Sequence, residues 1–452
     1  MKGNDFHYGS KMFNTLTKQL ETFNTQQHIN FFVCGPTVYD YSHLGHAKTY
    51  TQFDFIIEYL KQLTTVKYLI NITDIDDKII NKANTLNVDY KDVAEQYSKE
   101  FFVDMAWLKN NAYDQIANAS DFIPEIVSQV QRLLDMGKAY IIKNDGVYFD
   151  LNKAPSEPRF YHSENQEHSR INTSNKINEG DFVIWKYNKP NEPYWEANFG
   201  NGRPGWHIED TAITEKVFGE QYQIHGGASD LIFPHHEAEI IQMESLSGKH
   251  PLAQMWLHTG LLEVNGTKMS KSLGNFTRIR NFHSTTQPEI LRYYFIKHHY
   301  RSNIEINNTT LLQAEKELAR INDFYNKTSG DEITNEQVEQ LKNVFFEALN
   351  NDFNTPMALA ALMTLVKQAN TNNLKPNQSF IDFIKKINGF MKVFSIRTVV
   401  VPQEVEQLAQ ERLKARTNKE WAQSYFLREQ IRQHGYQIVD IPHSYELQEL
   451  RN

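Results

Sequence analysis

The chain has 452 residues, 40% of them hydrophobic and 23% charged, an ordinary globular balance with room for two to four domains. Its net charge of −8 gives no whole-chain signal for nucleic acid, though a local basic face is compatible with it. The absence of any apolar run of about 18 residues excludes a membrane-spanning helix, and a single cysteine, Cys34, excludes an internal disulfide and suits the reducing cytosol.

Residues 1–10 are polar, with no apolar stretch of the kind a secretory signal needs, and predict a disordered lead-in. Met12–Leu20 reads as a short edge element. Ile29–Val33 is an apolar run of strand length. A Gly-Pro turn follows, and His43-Leu44-Gly45-His46 opens a helix predicted to reach about Leu63. Strand, glycine-bearing turn and helix N-terminus make a ready anion site, because free N–H groups and the helix dipole both favour a phosphate. His43 and His46, three apart, share one face of the first turn. Gly45 leaves room for a flat base against the backbone. Taken alone, the four residues read first as two surface or core histidines at a helix start.

Val66–Ile70 is a second strand, leading into the acidic turn Asn71-Ile72-Thr73-Asp74-Ile75-Asp76-Asp77-Lys78. Polar residues at the carboxyl end of a strand lie where open parallel sheets bind ligands, but Asp76 and Asp77 read as caps and dipole partners of the next helix. Val88–Leu108 and Phe122–Gly137 have helical periodicity. Ala139–Ile142 and Gly146–Leu151 predict a hairpin. Residues 152–205, rich in Asn, Glu, Pro and Gly around a strand at Phe182–Trp185, read as an insertion between two halves of a sheet. The second half resumes at Gly205. Tyr222–His225 is strand-like and is followed by Gly-Gly-Ala-Ser-Asp230. Pro234 marks a helix start, with His235 and Glu239 one turn apart on its face, a workable spacing for two zinc ligands. Trp256–Val264 reads as a strand delivering the lysines Lys268 and Lys271 of the loop KMSKS, flanked by Gly266 and Gly274. Two mobile cations there can close on a pyrophosphate as charge develops on it. Beyond Arg278, Glu289–His298, Thr310–Lys327, Asn335–Leu349 and Thr355–Asn370 predict a helical bundle. Thr398–Glu404 is a linker, and Val405–Asp440 predicts two short helices and a terminal strand.

HLGH and KMSKS in this order, more than 200 residues apart, resemble the ATP site of class I aminoacyl-tRNA synthetases. The stretches FVCGPTVYDYSHLGHAKTY, NITDIDDKII, GDFVIWK, GRPGWHIE, HGGASDLIFPHHEAE, KMSKSLGNF and ERLKARTNKEW together resemble the cysteinyl-tRNA synthetases along nearly the whole chain. The resemblance implies an α/β fold. Its parts are a Rossmann-type parallel-sheet catalytic domain (11–120 and 206–280) with a connective insertion (121–205), a stem-contact and helical-bundle domain that binds tRNA (281–397) and a small α/β module for the anticodon (398–452). It implies a monomeric cytoplasmic ligase whose partners are ATP with Mg2+, cysteine and tRNA, with no membrane. His43, His46, Lys268 and Lys271 would be catalytic, the ATP site adding Gly45 and Asp230. Thr73 and Trp206 would line the amino-acid pocket. Arg416, Trp421 and Asp440 would contact the anticodon, Trp421 serving equally well as a core anchor between two helices.

The family holds a zinc ion with two cysteines, a histidine and a glutamate. Carried over, these are Cys34, His235, Glu239 and, where the second cysteine is expected, Asp210. Zinc bonds a thiolate well and a neutral hydroxyl badly, so it separates cysteine from serine where a plain pocket cannot. Ala228 and Ala238 also depart from the family's HGGG and HHENE, Tyr425 stands where an aspartate is common, and a terminal Gly-Thr-x-Trp is missing. Two readings follow: a cysteinyl enzyme with an aspartate in its metal site, or a paralogue that activates another amino acid or transfers to an amine. A non-catalytic tRNA-binding protein is a third, which two pyrophosphate lysines argue against.

Overall fold

A computed structural model describes residues 10–25, 27–155, 160, 175–264, 267–268, 276–395, 402–441 and 444–450. The expected lead-in lies outside the described residues except for Ser10, which opens a strand. Where one edge element is expected there is a hairpin, β1 (Ser10–Asn14) and β2 (Gln19–Phe23). Asn14 sews it down: its side-chain carbonyl accepts from the Trp256 N–H at 3.2 Å, and its amide donates to the Gln254 carbonyl at 3.1 Å.

The next elements are β3 (Ile29–Val33), α1 (Leu44–Leu63), β4 (Val66–Ile72), α2 (Asp77–Leu86), α3 (Tyr90–Trp107), β5 (Gln115–Asn118) and α4 (Ile123–Asp135). Then come β6 (Ala139–Ile142), β7 (Gly146–Phe149), β8 (Phe182–Tyr187), β9 (Gly202–Pro204), α5 (Trp206–Phe218), β10 (Tyr222–Ala228), α6 (Glu237–Ser247) and β11 (Ala253–Thr259). Strands β11-β10-β3-β4-β5 form one parallel sheet, in that order. Both halves of the chain meet at β3 and β10, so ligands are expected at the carboxyl ends of these two strands. The sheet is covered on its faces, which is why β3 and β4 read as continuous apolar runs rather than alternating ones.

The insertion is a separate antiparallel sheet, β6-β7-β8-β9. It is tied to the sequence NITDIDDK. Asp76 caps α2, accepting from the Lys78 N–H at 2.8 Å, as expected. Asp77 does more than complement a dipole: it pairs with Lys186 of β8 and with the buried Arg203 of β9. Burial raises the Asp77 carboxyl, but the two cations outweigh it and hold it below its usual range. Helix α4 adds Ile123, Ile126, Val130 and Leu133 to the core that contains Phe32, Leu69 and Trp256.

After β11 the expected long strand is broken. Gly260 and Leu261 separate it from β12 (Leu262–Val264), which pairs with β13 (Thr267–Lys268) and, in parallel, with β14 (Ile304–Glu305). A Cβ at Gly260 would meet the Ser302 carbonyl at 2.4 Å, so the break is built around a glycine. Helix α7 (Pro288–Ile296) lies between β13 and β14. Its buried Arg292 pairs with Asp54 of α1 at 2.6 Å. The remaining elements are α8 (Asn308–Tyr325), β15 (Asp331–Glu332), α9 (Asn335–Asn350), α10 (Thr355–Thr371), β16 (Leu374–Lys375), α11 (Gln378–Met391), α12 (Gln403–Thr417), α13 (Trp421–Gln433), β17 (Tyr436–Ile441) and β18 (Ser444–Glu449). The single terminal strand expected is thus a hairpin.

The chain divides into two compact units. One holds Met1–Glu315, Asn343–Ala360 and Gly389–Val393, the other Lys316–Lys342, Ala361–Asn388 and Phe394–Asn452. Within the second, Val405, Ala409, Ile431, Tyr436 and Ile438 form a small core of α12, α13 and the hairpin.

Candidate functional site

Helix α1 begins as the anion-site reading requires. His43 is its N-cap, its Nδ1 accepting from the His46 N–H at 3.3 Å. A neutral His43 therefore carries its proton on Nε2, as a donor. The His43 and His46 rings stack at 3.8 Å, with Gly45 between them in the first turn. The chain leaving the KMSKS loop is stitched to this turn: the Leu44 N–H donates to the Thr277 carbonyl at 3.0 Å and the Ile279 N–H to the Ser42 carbonyl at 3.0 Å. The Lys268 backbone lies in β13; its side chain and all of Lys271 lie outside the described residues. Asp230 is exposed in a short turn directly after β10.

A second constellation lies at the ends of β3 and β10. Cys34 directly follows β3, and Asp210 sits in the fifth position of α5. His235 precedes α6, and Glu239 is in its first turn. His235 is not on a regular helix, as its spacing predicts. Residues Ile232–His236 form a wider turn with Phe233 extended (φ −133°, ψ 134°), and α6 begins only at Glu237. The pair still meets, with His235 Nε2 3.0 Å from Glu239 Oε1. The same nitrogen is 3.1 Å from Asp210 Oδ2 and 3.4 Å from Cys34 Sγ.

One ring nitrogen can serve one partner well, so three acceptors around it are an arrangement that a shared cation suits better than a proton. Glu239 Oε1 is buried and faces that same nitrogen. Donors held by a tetrahedral zinc at about 2.0–2.3 Å stand roughly 3.3–3.6 Å apart, close to the spacings here. The ligand atoms of Asp210, His235 and Glu239 lie within 4.8 Å of one another, as do those of Cys34, His235 and His236. Asp210, His235 and Glu239 fit a divalent ion with one nitrogen and two oxygen donors, and Cys34 Sγ stands beside them, 3.4 Å from the His235 nitrogen.

Electrostatics agree. Burial pushes the Cys34 thiol well up, and the Asp210 carboxylate adds to the shift. Burial raises Glu239 to about 8. Burial opposes the charging of His235, yet Glu239, Cys34 and Asp210 prevail and hold it well above its usual range. A cation at the centre would favour the anionic forms of the thiol and both carboxylates.

Trp206, the first residue of α5, stacks on the His235 ring at 4.2 Å and closes one side of the cluster. Thr73 is buried at the end of β4 and its backbone pairs with Pro36 and Val38, so β4 and the turn after β3 are held as one wall. Sequence reasoning gave no role to five buried neighbours. His207 Nδ1 lies 2.9 Å from His235 Nδ1, and His225 Nε2 lies 3.3 Å from Glu239 Oε2. His236 Nδ1 meets His258 Nε2 at 2.7 Å. Asn71 donates to Asp210 at 2.5 Å. Two histidines in strands, one at a helix start, one in the turn before α6 and an asparagine at a strand end were the available signals, and each also fits an ordinary core position.

In the second unit Asp440 accepts from Arg412 at 2.5 Å and lies 3.0 Å from Arg416. Trp421 does not serve as a core anchor: it is 53% exposed at the start of α13, beside Tyr425 (69%) and Phe426 (58%).

The chain matches the family model for the class I (C) tRNA synthetase catalytic domain over residues 20–316 and that for the DALR domain over residues 344–396. It is 39% identical to a cysteine–tRNA ligase of Thermoplasma acidophilum over 448 residues, 95% of this chain and 98% of the relative. It is 37% identical to that of Legionella pneumophila over 442 residues, 95% and 97%. Among solved structures it resembles Mycobacterium tuberculosis methionyl-tRNA synthetase in complex with methionyl-adenylate (TM-score 0.58, 13% identity, 81% of this chain and 89% of that one). A putative arginyl-tRNA synthetase of Campylobacter jejuni also aligns (TM-score 0.53, 12% identity, 86% and 92%). At such identities these two show the class I fold alone.

Proposed function

The chain belongs to the cysteine–tRNA ligase family, and from that premise we propose that it activates cysteine with ATP and transfers it to the 3′ end of tRNA. The first step gives cysteinyl-adenylate and pyrophosphate; the second moves the cysteinyl group to the terminal ribose. Relatives that match 95% of the chain carry that activity by name, whereas nothing favours an amine acceptor, another amino acid or a non-catalytic role.

What supports this reading is that Cys34, Asp210 and Glu239 each approach the same His235 nitrogen, at 3.4, 3.1 and 3.0 Å. When bound there, zinc would take the substrate's thiolate as a further ligand and so favour cysteine over serine. The chain's own residues do the rest. His43 and His46 donate to the reacting phosphates at the positive end of α1. Lys268 and Lys271 close over the departing pyrophosphate, and Asp230 receives the adenosine ribose. Trp206 and Thr73 wall the amino-acid pocket and exclude water. Magnesium accompanies ATP. Arg416 and Asp440, paired on α12 and β17, and the exposed Trp421 present polar and stacking groups to unpaired anticodon bases.

Pyrophosphate exchange on metal-analysed protein, with the twenty amino acids supplied singly, tests the proposal. Exchange with cysteine alone, followed by charging of tRNA, is expected. Exchange driven by another amino acid, or none with cysteine, would overturn it.

A further inference from the structure

We propose that Asn71 is the positioning residue that makes Asp210 a one-oxygen metal ligand. The inference rests on the metal-site reading above and concerns its aspartate, where the resemblance implies a cysteine. A cysteine offers a metal one donor atom. An aspartate offers two, and a carboxylate free to turn can present either or both. In this site one oxygen is already taken. Asn71 is fully buried, and its amide has no choice of orientation: the Gly35 N–H donates to Asn71 Oδ1 at 2.6 Å, so Nδ2 must face the other way. There it donates to Asp210 Oδ1 at 2.5 Å, leaving Oδ2 toward His235 Nε2 at 3.1 Å.

The backbone enforces the same geometry. A Cβ at position 35 would stand 1.6 Å from the Asn71 carbonyl oxygen, so only glycine lets the turn after β3 close on the end of β4. Cys34 and Asn71 are thereby fixed side by side, one as a donor and the other behind a donor. Glu239 turns Oε1 toward His235, 3.0 Å away, and Oε2 toward His225, 3.3 Å away. Each carboxylate then contributes one atom, and the shell has one sulfur, one nitrogen and two oxygens. Partners that orient a ligand in this way change metal affinity by about 10- to 100-fold.

The test is zinc affinity, by competition with a chromophoric chelator, in wild type, Asn71→Leu, Asp210→Cys and the double variant. Asn71→Leu removes the acceptor for Gly35 in both backgrounds, so that structural cost cancels in the cycle. We expect Asn71→Leu to weaken zinc by about 10- to 100-fold with Asp210 present. In the Asp210→Cys background the loss should be less than about threefold, because a thiolate has a single donor atom to orient. Equal losses in both backgrounds would overturn the proposal. X-ray absorption of zinc-loaded wild type needs no variant to fold. It should show a four-coordinate shell with one sulfur, and a shell of five or more with a two-oxygen carboxylate would also overturn it. Failure of wild type and Asp210→Cys alike to bind zinc would instead bring down the metal-site reading itself.

Discussion

Gly35→Ala is the smallest perturbation that bears on the whole site. The added carbon would lie 1.6 Å from the Asn71 oxygen, and contacts under 3.0 Å essentially do not occur, so the turn after β3 and the end of β4 must part by at least about 1.4 Å (3.0 − 1.6). That separation breaks the partly buried hydrogen bond from the Gly35 N–H to Asn71, at about 1–3 kcal/mol, and adds overpacking of about 1–3 kcal/mol. The sum of about 2–6 kcal/mol is a large part of the stability of an ordinary domain. The displaced backbone carries Cys34 on one side and the partner of Asp210 on the other, so zinc affinity should fall with stability, by at least about tenfold. Urea unfolding and chelator competition on the same preparation measure both. A variant within about 0.5 kcal/mol of wild type, with zinc affinity unchanged within a factor of two, would refute the reasoning, since the two backbones would then be free to move apart without consequence.

Lys271→Ala should slow pyrophosphate exchange by at least about 100-fold with little change in ATP affinity; a normal rate would remove the lysine from the reaction. Burial holds His258 neutral, its pKa pushed down to about 3 from the usual 6.5. Between those values the unfolded chain binds a proton that the folded one does not. Stability is thus complete above pH 6.5 and declines by up to about 1.4 kcal/mol per unit as pH falls toward 3. His258→Gln should flatten acid unfolding in that window, and an unchanged slope would show that another group sets it. Trp421→Ala should leave the unfolding midpoint and pyrophosphate exchange unchanged while raising the KM for tRNA by about tenfold, the worth of one stacked base. A loss of stability above about 1 kcal/mol would return Trp421 to a packing role.

What was legible in the sequence was what rests on local pattern. Ile29–Val33 is the central strand and α1 ends at Leu63, because a buried apolar run and a helix opening on a capping side chain are written in adjacent residues. The turn before α6 was not legible: Pro234 and the His235–Glu239 spacing fit a regular helix, and the packing that leaves Phe233 extended is tertiary. The break at Gly260 depends on Ser302, forty-two residues away. Asp77 reads locally as a helix-start acid, and only the folded insertion supplies Lys186 and Arg203. Asn71 is the clearest case. It stands in a recognisable stretch, yet its hydrogen-bond partner is a carboxylate 139 positions downstream.

The spread of the four donors along the chain has a consequence for how the protein is made. Cys34 emerges early in translation, but Glu239, the last donor, follows 205 residues later (239 − 34). At about 5–20 residues per second the interval is roughly 10–40 s. Throughout it, the chain's one sulfhydryl has no completed site to enter, because the strand that seats beside β3 is β10, which arrives with the second half. On the proposed reading of the site, metal capture would come late in synthesis, after β10 docks beside β3.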